Sequence, residues 1–239
     1  MATAIFGSPI RRFQGETLGL TTTVASLGVV PNYQELMLYC ATAFRLHLNP
    51  KIRMILFYDI SALAYVNLLI NLTDRASATG SGTTLDAMQT TDILYVGCEA
   101  QFGGLRVDMT ASVNANASVM DAEYWNGTTW ADLTETDGTA SGGKMFAQSG
   151  AITWTMPTDW ALTSVNGSPQ LYWMRIKVSA ALSADVEIAD VHTRNKDTSR
   201  GYNEAGMAYQ FSLNLDKVGA FEAVLAAGSD TLDVTWVQH

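Results

Sequence analysis

The chain has 239 residues, of which 48% are hydrophobic and 15% are charged, and its formal net charge is -9. The hydrophobic content is sufficient for a substantial core and excludes wholesale disorder. The negative balance excludes non-specific nucleic-acid binding, which needs clustered Lys and Arg. Because about 25% of residues are charged in a typical soluble protein, we expect partners to cover much of this surface.

The N-terminal part of the chain divides into three predicted segments. Residues 1–35 are rich in Gly and Thr without a clear period, which predicts an extended arm with at most one short strand. Residues 36–75 carry two apolar runs, and their Tyr, Phe, Ile and Val content favours a pair of buried strands that packs on the main domain. Asn49 and Pro50 predict a turn between the two runs. Residues 76–91, rich in Gly, Ser and Thr, are predicted to form a loop.

The rest of the chain has the pattern of an all-β protein. Residues 92–190 alternate short strand-like runs with turn signals about every 8 to 12 residues, as in β-sandwiches and barrels. Residues 191–206 predict a polar connector, and residues 207–239 return to alternation, which predicts C-terminal strands. We therefore expect an all-β fold: a β-sandwich with an extended N-terminal arm and C-terminal strands.

Two features bear on the compartment. The most apolar window, Met54 to Leu72, is interrupted by polar residues, so we expect no membrane span, and the first residues show no secretory signal. Cys40 and Cys98 stand in apolar strand-like segments. We expect two buried free thiols in a chain made in a reducing cytoplasm.

The stretch YWNGTTW, residues 124–130, predicts a hairpin. Asn126 and Gly127 favour a two-residue type I′ turn, because both central residues of that turn need a positive φ. Such a loop pairs Glu123 with Trp130, and alternation then defines two faces. The core face carries Met120, Ala122, Tyr124, Thr129, Ala131 and Leu133, and the polar face carries Asp121, Glu123, Trp125, Thr128, Trp130 and Asp132.

A second strand, residues 171–178, shows the same division. Tyr172, Met174, Ile176 and Val178 form an apolar row. Trp173 falls on the opposite row with Arg175, where ring and guanidinium could stack. Large aromatic side chains on a polar face need a cover, and a segment of the same chain, a neighbouring subunit and a sugar all remain open. The candidate protein–protein interface therefore consists of Trp125, Trp130, Trp173 and Arg175.

Metal and catalytic signals are weak. His47, His192 and His239 do not stand at metal-ligand spacings, and His192 is predicted to be solvated in the connector. We expect no metal, no cofactor and no enzymatic activity. Two groups of acidic residues suggest alternatives. Asp121 and Glu123 could form the carboxylate pair of a glycosidase, and Asp132, Glu135 and Asp137 loosely resemble a calcium loop. We interpret both groups as ordinary surface carboxylates.

The order of several motifs adds a resemblance. ILYVGCEAQF, YWNGTTW, DGT, SGAITW, PTDW and LYWMR follow one another between residues 91 and 183. In this order the segment resembles structural proteins of tailed-bacteriophage virions. The resemblance implies a jelly-roll-like sandwich that is a capsid decoration or cement protein, located on the shell surface of the virion after synthesis in the host cytoplasm.

The implied partners are the major capsid protein and copies of the chain itself, often as a trimer, with no nucleic acid and no membrane. The main alternative is a tail-fibre or receptor-binding module, or another tail or baseplate subunit, with a carbohydrate-binding β-sandwich. Fibre proteins usually contain long repeats, which this chain lacks.

Overall fold

A computed structural model describes residues 12–20, 25–28, 35–42, 44–73, 83–85, 87–194, 208–212, 218–225 and 229–238. Almost all of their regular structure is β, with one short helix. In chain order the elements are β1 (Arg12–Leu20), β2 (Ala25–Gly28), β3 (Glu35–Cys40), β4 (Phe44–Pro50), β5 (Ile52–Asp59), β6 (Ala64–Asn67), α1 (Leu69–Leu72), β7 (Thr83–Thr84), β8 (Ile93–Cys98), β9 (Gly104–Met109), β10 (Met120–Trp125), β11 (Trp130–Asp132), β12 (Thr136–Asp137), β13 (Gly150–Thr153), β14 (Leu162–Thr163), β15 (Leu171–Val178), β16 (Glu187–Arg194), β17 (Ala208–Ser212), β18 (Val218–Leu225) and β19 (Asp230–Gln238).

The chain folds into two compact units. A terminal unit combines residues 1–48 with residues 198–239, and a central unit contains residues 49–197. Among the described residues, no helix has the length and apolarity needed to cross a membrane.

The terminal unit joins the two ends of the chain. Its four-stranded sheet has the order β1-β19-β3-β17, and its three-stranded sheet has the order β2-β18-β4. β1 pairs antiparallel with β19 from Arg12 opposite Gln238 to Leu20 opposite Asp230. The predicted extended arm over residues 1–35 therefore contains two paired strands, β1 and β2, where at most one short strand was expected. An extended segment satisfies its backbone hydrogen bonds by pairing, and here the partners lie near the other end of the chain.

The boundary between the units also differs from the prediction for residues 36–75. β3 belongs to the terminal unit, whereas β5 and β6 belong to the central unit. The predicted turn at Asn49 and Pro50 is the end of β4 instead. At a strand end, the missing N–H of a proline need not interrupt the ladder of hydrogen bonds.

The central unit is a sandwich of two antiparallel sheets, and the predicted all-β sandwich is confirmed. One sheet has the order β11-β10-β15-β8-β5-β6, with β14 also paired to β15, and the other has the order β12-β13-β9-β16-β7. From β8 onward the chain alternates between them: β8, then β9, then β10 and β11, then β12 and β13, then β14 and β15, then β16. Each sheet thus combines pairs of consecutive strands with strands that are distant in sequence.

The core of this sandwich lies between the inner faces of the two sheets. In strands such as β9, β10 and β15, apolar residues at every second position point inward, because successive side chains alternate between faces. The predicted inward rows of β10 and β15 are confirmed, and Trp154 is also buried in this core. The core includes Ile55, Val96, Leu105, Val107, Met120, Ala122, Tyr124, Ile152, Trp154, Trp160, Met174, Ile176, Val178, Ile188 and Val191.

Two predicted linkers contain strand structure where they are described. Thr83 and Thr84 form β7 within the predicted loop over residues 76–91, and β16 continues to Arg194 within the predicted connector over residues 191–206. The remainder of that connector lies outside the described residues. Cys40 and Cys98 are buried free thiols, as predicted, and burial raises the pKa of Cys98 well above its usual range.

Close packing occurs where β8 passes beside β15. Gly97 lies opposite Trp173 in the register of the two strands. A Cβ atom at Gly97 would come within 2.9 Å of both Leu171 Cδ1 and Trp173 Cζ3. The absence of a side chain at this position therefore allows the indole to pack closely against the neighbouring strand.

We expect Gly97→Val to lower the free energy of unfolding by about 1–3 kcal/mol, because added carbon atoms would overpack this contact. Chemical denaturation followed by circular dichroism measures the change. Ala64→Val is the matched control, because Ala64 lies in an exposed strand and its change should stay within about 0.5 kcal/mol. Equal midpoints for parent and Gly97→Val would contradict the close packing.

Candidate functional site

The outer face of the larger sheet carries a second apolar cluster. It consists of side chains that point away from the main core: Leu56, Tyr95, Val165, Leu171 and Trp173. Trp173 is 0% exposed, and its Nε1 donates a hydrogen bond to the backbone oxygen of Thr163 at 3.0 Å. Trp173 is therefore not available to the candidate protein–protein interface, and the first of the three covers left open applies to it. The chain covers this ring itself, with the segment around β14.

Trp125 and Trp130 remain half-buried on the same outer face. They lie directly opposite each other at the end of the β10–β11 hairpin. Their ring centroids are 5.7 Å apart, and their planes are inclined at 66°. Both tryptophans therefore stand on the polar face, as predicted, and contact each other edge to face.

The predicted two-residue turn at Asn126 and Gly127 is wrong. Trp125 pairs with Trp130, so the loop has four residues, 126–129. Of Asn126 and Gly127, only Gly127 has a positive φ, of 98°. The Asn126 side chain accepts hydrogen bonds from the N–H groups of Thr128 and Thr129 at 3.0 and 2.9 Å. This local bonding by an Asn side chain stabilises a wider turn. The predicted faces are nevertheless correct, because the observed register differs from the predicted one by two residues, which is an even number.

Five aromatic side chains form a continuous band across this sheet, which we call the outer aromatic row: Tyr58, Tyr65, Tyr95, Trp130 and Trp125. Neighbouring ring centroids are 4.5 Å apart for Tyr58 and Tyr65, 6.2 Å for Tyr65 and Tyr95, and 5.7 Å for Tyr95 and Trp130. Its residues lie in β5, β6, β8, β11 and β10. Sequence alternation could identify its tryptophans but not its tyrosines, because their alignment depends on the order of strands.

The row packs against the buried cluster and contacts the guanidinium of Arg175. Tyr95 lies edge-on to Trp173, with centroids 6.3 Å apart. The guanidinium of Arg175 lies 4.5 Å from the centroid of Trp130, so the predicted stacking of Arg175 involves Trp130 and not Trp173. Cation–π contact of this kind is favourable at about 0.5–1 kcal/mol on a surface. Arg175 also occupies one face of the Trp130 ring.

Four charged side chains form a network beside Trp130. Arg175 pairs with Glu123, and Lys177 contacts Glu123 at 3.1 Å and Asp121 at 2.8 Å. Burial alone would lower the pKa of Lys177, but its hydrogen bonds to these two carboxylates raise it. Both carboxylates of the candidate glycosidase pair are therefore engaged by cations.

At one edge of the same sheet, β6 presents an unprotected apolar surface. All four residues of β6 are exposed, Leu63 before it is 75% exposed, and Ile70 after it is 79% exposed. Residues 60–72 contain no charged residue, whereas edge strands are usually protected by charges, proline or a bulge. We call this surface the apolar edge; it consists of Ile60, Leu63, Tyr65, Val66 and Ile70. Sequence reasoning missed it by predicting buried strands, although the uncharged run was visible.

The acidic side chains of the candidate calcium loop serve local turns. The Oδ1 atom of Asp132 accepts a hydrogen bond from the N–H of Thr134 at 3.0 Å. The Oδ1 atom of Asp137 accepts from the N–H and the hydroxyl of Thr139, at 2.8 and 2.6 Å. Burial raises the pKa of Glu135. In the described part of the chain, these residues do not come together as a set of metal ligands.

Another group does have such an arrangement. Asp108, Asp190 and His192 place ligand atoms within 4.8 Å of one another on the smaller sheet. His192 lies in β16 and is half-buried, so the prediction of a solvated connector histidine is wrong. In the sequence, the only sign of this group was that His192 stands two residues after Asp190.

In comparisons with known proteins, no protein-family model matches this sequence, and no curated protein is significantly similar to it. The fold and surface define the class as an all-β sandwich protein with a large aromatic and apolar outer surface.

We expect Glu123→Gln to lower the free energy of unfolding by about 1–3 kcal/mol, since it removes a charged hydrogen-bond acceptor from two cations. The Glu123 and Arg175 side chains are only 15% and 18% exposed. Asp121→Asn is the matched control: the Asp121 side chain is 49% exposed, and such surface pairs contribute about 0–1 kcal/mol. Urea denaturation at low and high salt measures both variants. Equal effects of the two substitutions would contradict this ranking.

Proposed function

We propose that this protein is a non-enzymatic structural component of a tailed-phage virion, of the decoration or cement type. In this role it binds the outside of the assembled shell and stabilises it. The observation that supports the proposal most is the apolar edge, with its uncharged exposed strand β6.

An exposed edge strand offers unpaired N–H and C=O groups together with apolar side chains. Such an edge pairs readily with another polypeptide, so a protein at high concentration needs it covered. Tyr65 belongs to both the apolar edge and the outer aromatic row. The two surfaces are therefore continuous, and aromatic side chains are enriched at protein–protein interfaces. We propose that this combined surface contacts the capsid shell, and that copies of the chain assemble beside one another on it.

The geometry of the rings favours protein over sugar as the cover. A sugar stacks on an open, flat aromatic face. One face of Trp130 is occupied by Arg175, and Trp125 is steeply inclined to Trp130. The low charge content also suits a surface shared with neighbours, since interface cores are depleted in charged residues.

The first test is the copy number of the protein in purified particles. We expect quantitative mass spectrometry to find it in stoichiometric proportion to the major capsid protein, because cement proteins occupy repeated sites on the shell. Particles that lack it should lose their contents at a lower temperature. A few copies per particle would overturn the decoration role and indicate a tail or fibre subunit, for which glycan binding would then be measured.

The second test concerns the apolar edge. We expect Val66→Lys to weaken binding to shells that lack the protein about tenfold or more, because a lysine would be buried against an apolar partner. Val119→Lys is the matched control, since Val119 is exposed outside the apolar edge. Co-sedimentation with shells measures binding, and circular dichroism verifies folding. Parent-like binding of Val66→Lys would exclude the apolar edge as the contact surface.

A further inference from the structure

The smaller sheet of the sandwich carries a cluster of two carboxylates and an imidazole on its outer face. Asp108 in β9 lies directly opposite Asp190 in β16, and His192 follows two residues later. One ligand atom from each side chain lies within 4.8 Å of the other two, and all three residues are half-buried. The cluster therefore has the residue types and the spacing of a metal site.

A β-bulge creates this arrangement. Ile188 pairs with Met109 and Asp190 pairs with Asp108, so Ala189 is an extra residue in β16. Ile188 is buried in the core, and regular alternation from it would turn Asp190 and His192 inward as well. The extra residue turns both of them to the outer face, beside Asp108. Bulges of this kind often redirect side chains next to functional sites.

Asp108 and Asp190 place two carboxylates directly opposite each other on paired strands. Like charges directly opposite each other on paired strands are destabilising. Arg106 compensates Asp108, with its Nε at 2.9 Å and its Nη2 at 2.8 Å from Oδ1. Both contacts use the same oxygen, so they orient the carboxylate without occupying Oδ2.

The carboxylate of Asp190 is mostly buried and only partly hydrogen-bonded. Its Oδ2 lies 3.3 Å from Nδ1 of His192, and its side chain is 15% exposed. Its Oδ1 is buried and has no hydrogen-bond partner within the described part of the chain. A buried carboxylate oxygen without a donor is costly, and such an atom calls for an ion or another group that satisfies it.

We propose that Asp108, Asp190 and His192 bind a divalent transition-metal ion, with Zn²⁺ as the preferred occupant. Imidazole together with carboxylates suits Zn²⁺, whereas Ca²⁺ and Mg²⁺ prefer oxygen ligands alone. Three protein ligands leave a coordination position for water. Arg106 acts as a positioning residue that holds the Asp108 carboxylate. The ion joins the two adjacent strands β9 and β16, and the site is independent of the proposed virion role.

The experiment uses the full chain without a polyhistidine tag, stripped with EDTA and titrated with ZnSO₄ by calorimetry. We expect one Zn²⁺ per chain and a higher melting temperature in its presence, because a ligand that binds only the folded state stabilises it. His192→Ala and Asp190→Asn should each weaken binding about tenfold or more, and Arg106→Gln should weaken it by about 10- to 100-fold, as outer-shell changes do.

Two controls separate this site from general metal affinity. His47→Ala removes a histidine from the other unit, and Asp121→Asn removes a carboxylate from the other sheet; both should retain the parent affinity. Anomalous scattering at the zinc edge from crystals of the unaltered chain locates the ion without any variant. A peak between β9 and β16 supports the site.

Several outcomes would overturn the proposal. One is the absence of Zn²⁺ binding. Others are affinity unaffected by both ligand substitutions, an anomalous peak elsewhere, or binding of Ca²⁺ in place of Zn²⁺.

Discussion

The packing of Trp173 on Gly97 is the contact on which the outer face of the larger sheet depends. β15 pairs with β10, β8 and β14, and it is apolar on both faces near its start. Met174 points into the main core while Trp173 points outward, and both are fully buried. A strand buried on both sides needs a cover on the outside, and the segment around β14 provides it through the hydrogen bond from Trp173 to Thr163. Tyr95, and through it the outer aromatic row, then packs against this buried indole.

Alternation of side chains made the local faces predictable from sequence. The core face of β10 and the apolar row of β15 were predicted correctly, because strand periodicity depends only on neighbouring residues. The hairpin register was wrong by two residues, since the sequence does not show how Asn126 bonds its own loop. A register shift by an even number of residues leaves each side chain on its predicted face, whereas an odd shift moves it to the opposite face. Trp125 and Trp130 therefore lie on the predicted polar face although the predicted turn was wrong.

Long-range pairing explains most of what the sequence could not predict. β1 finds its partner in β19, more than 200 residues away, and no local pattern encodes that choice. The same holds for Trp173: alternation correctly placed it on the outer face, but its cover comes from another loop. The cluster of Asp108, Asp190 and His192 needed both the pairing of β9 with β16 and the bulge at Ala189. Strict alternation from Ile188 would have directed Asp190 into the core.

The two outer faces of the sandwich have different chemistry. The larger sheet presents aromatic rings and an uncharged edge, which we propose another polypeptide covers. The smaller sheet presents the two carboxylates and the imidazole of the proposed cation site. A close-packed core about 10 Å thick separates packed sheets of this kind, and the free-energy effects of substitutions at that separation usually add independently. Substitutions on one face can therefore serve as controls for the other, and a failure of one assignment leaves the second intact.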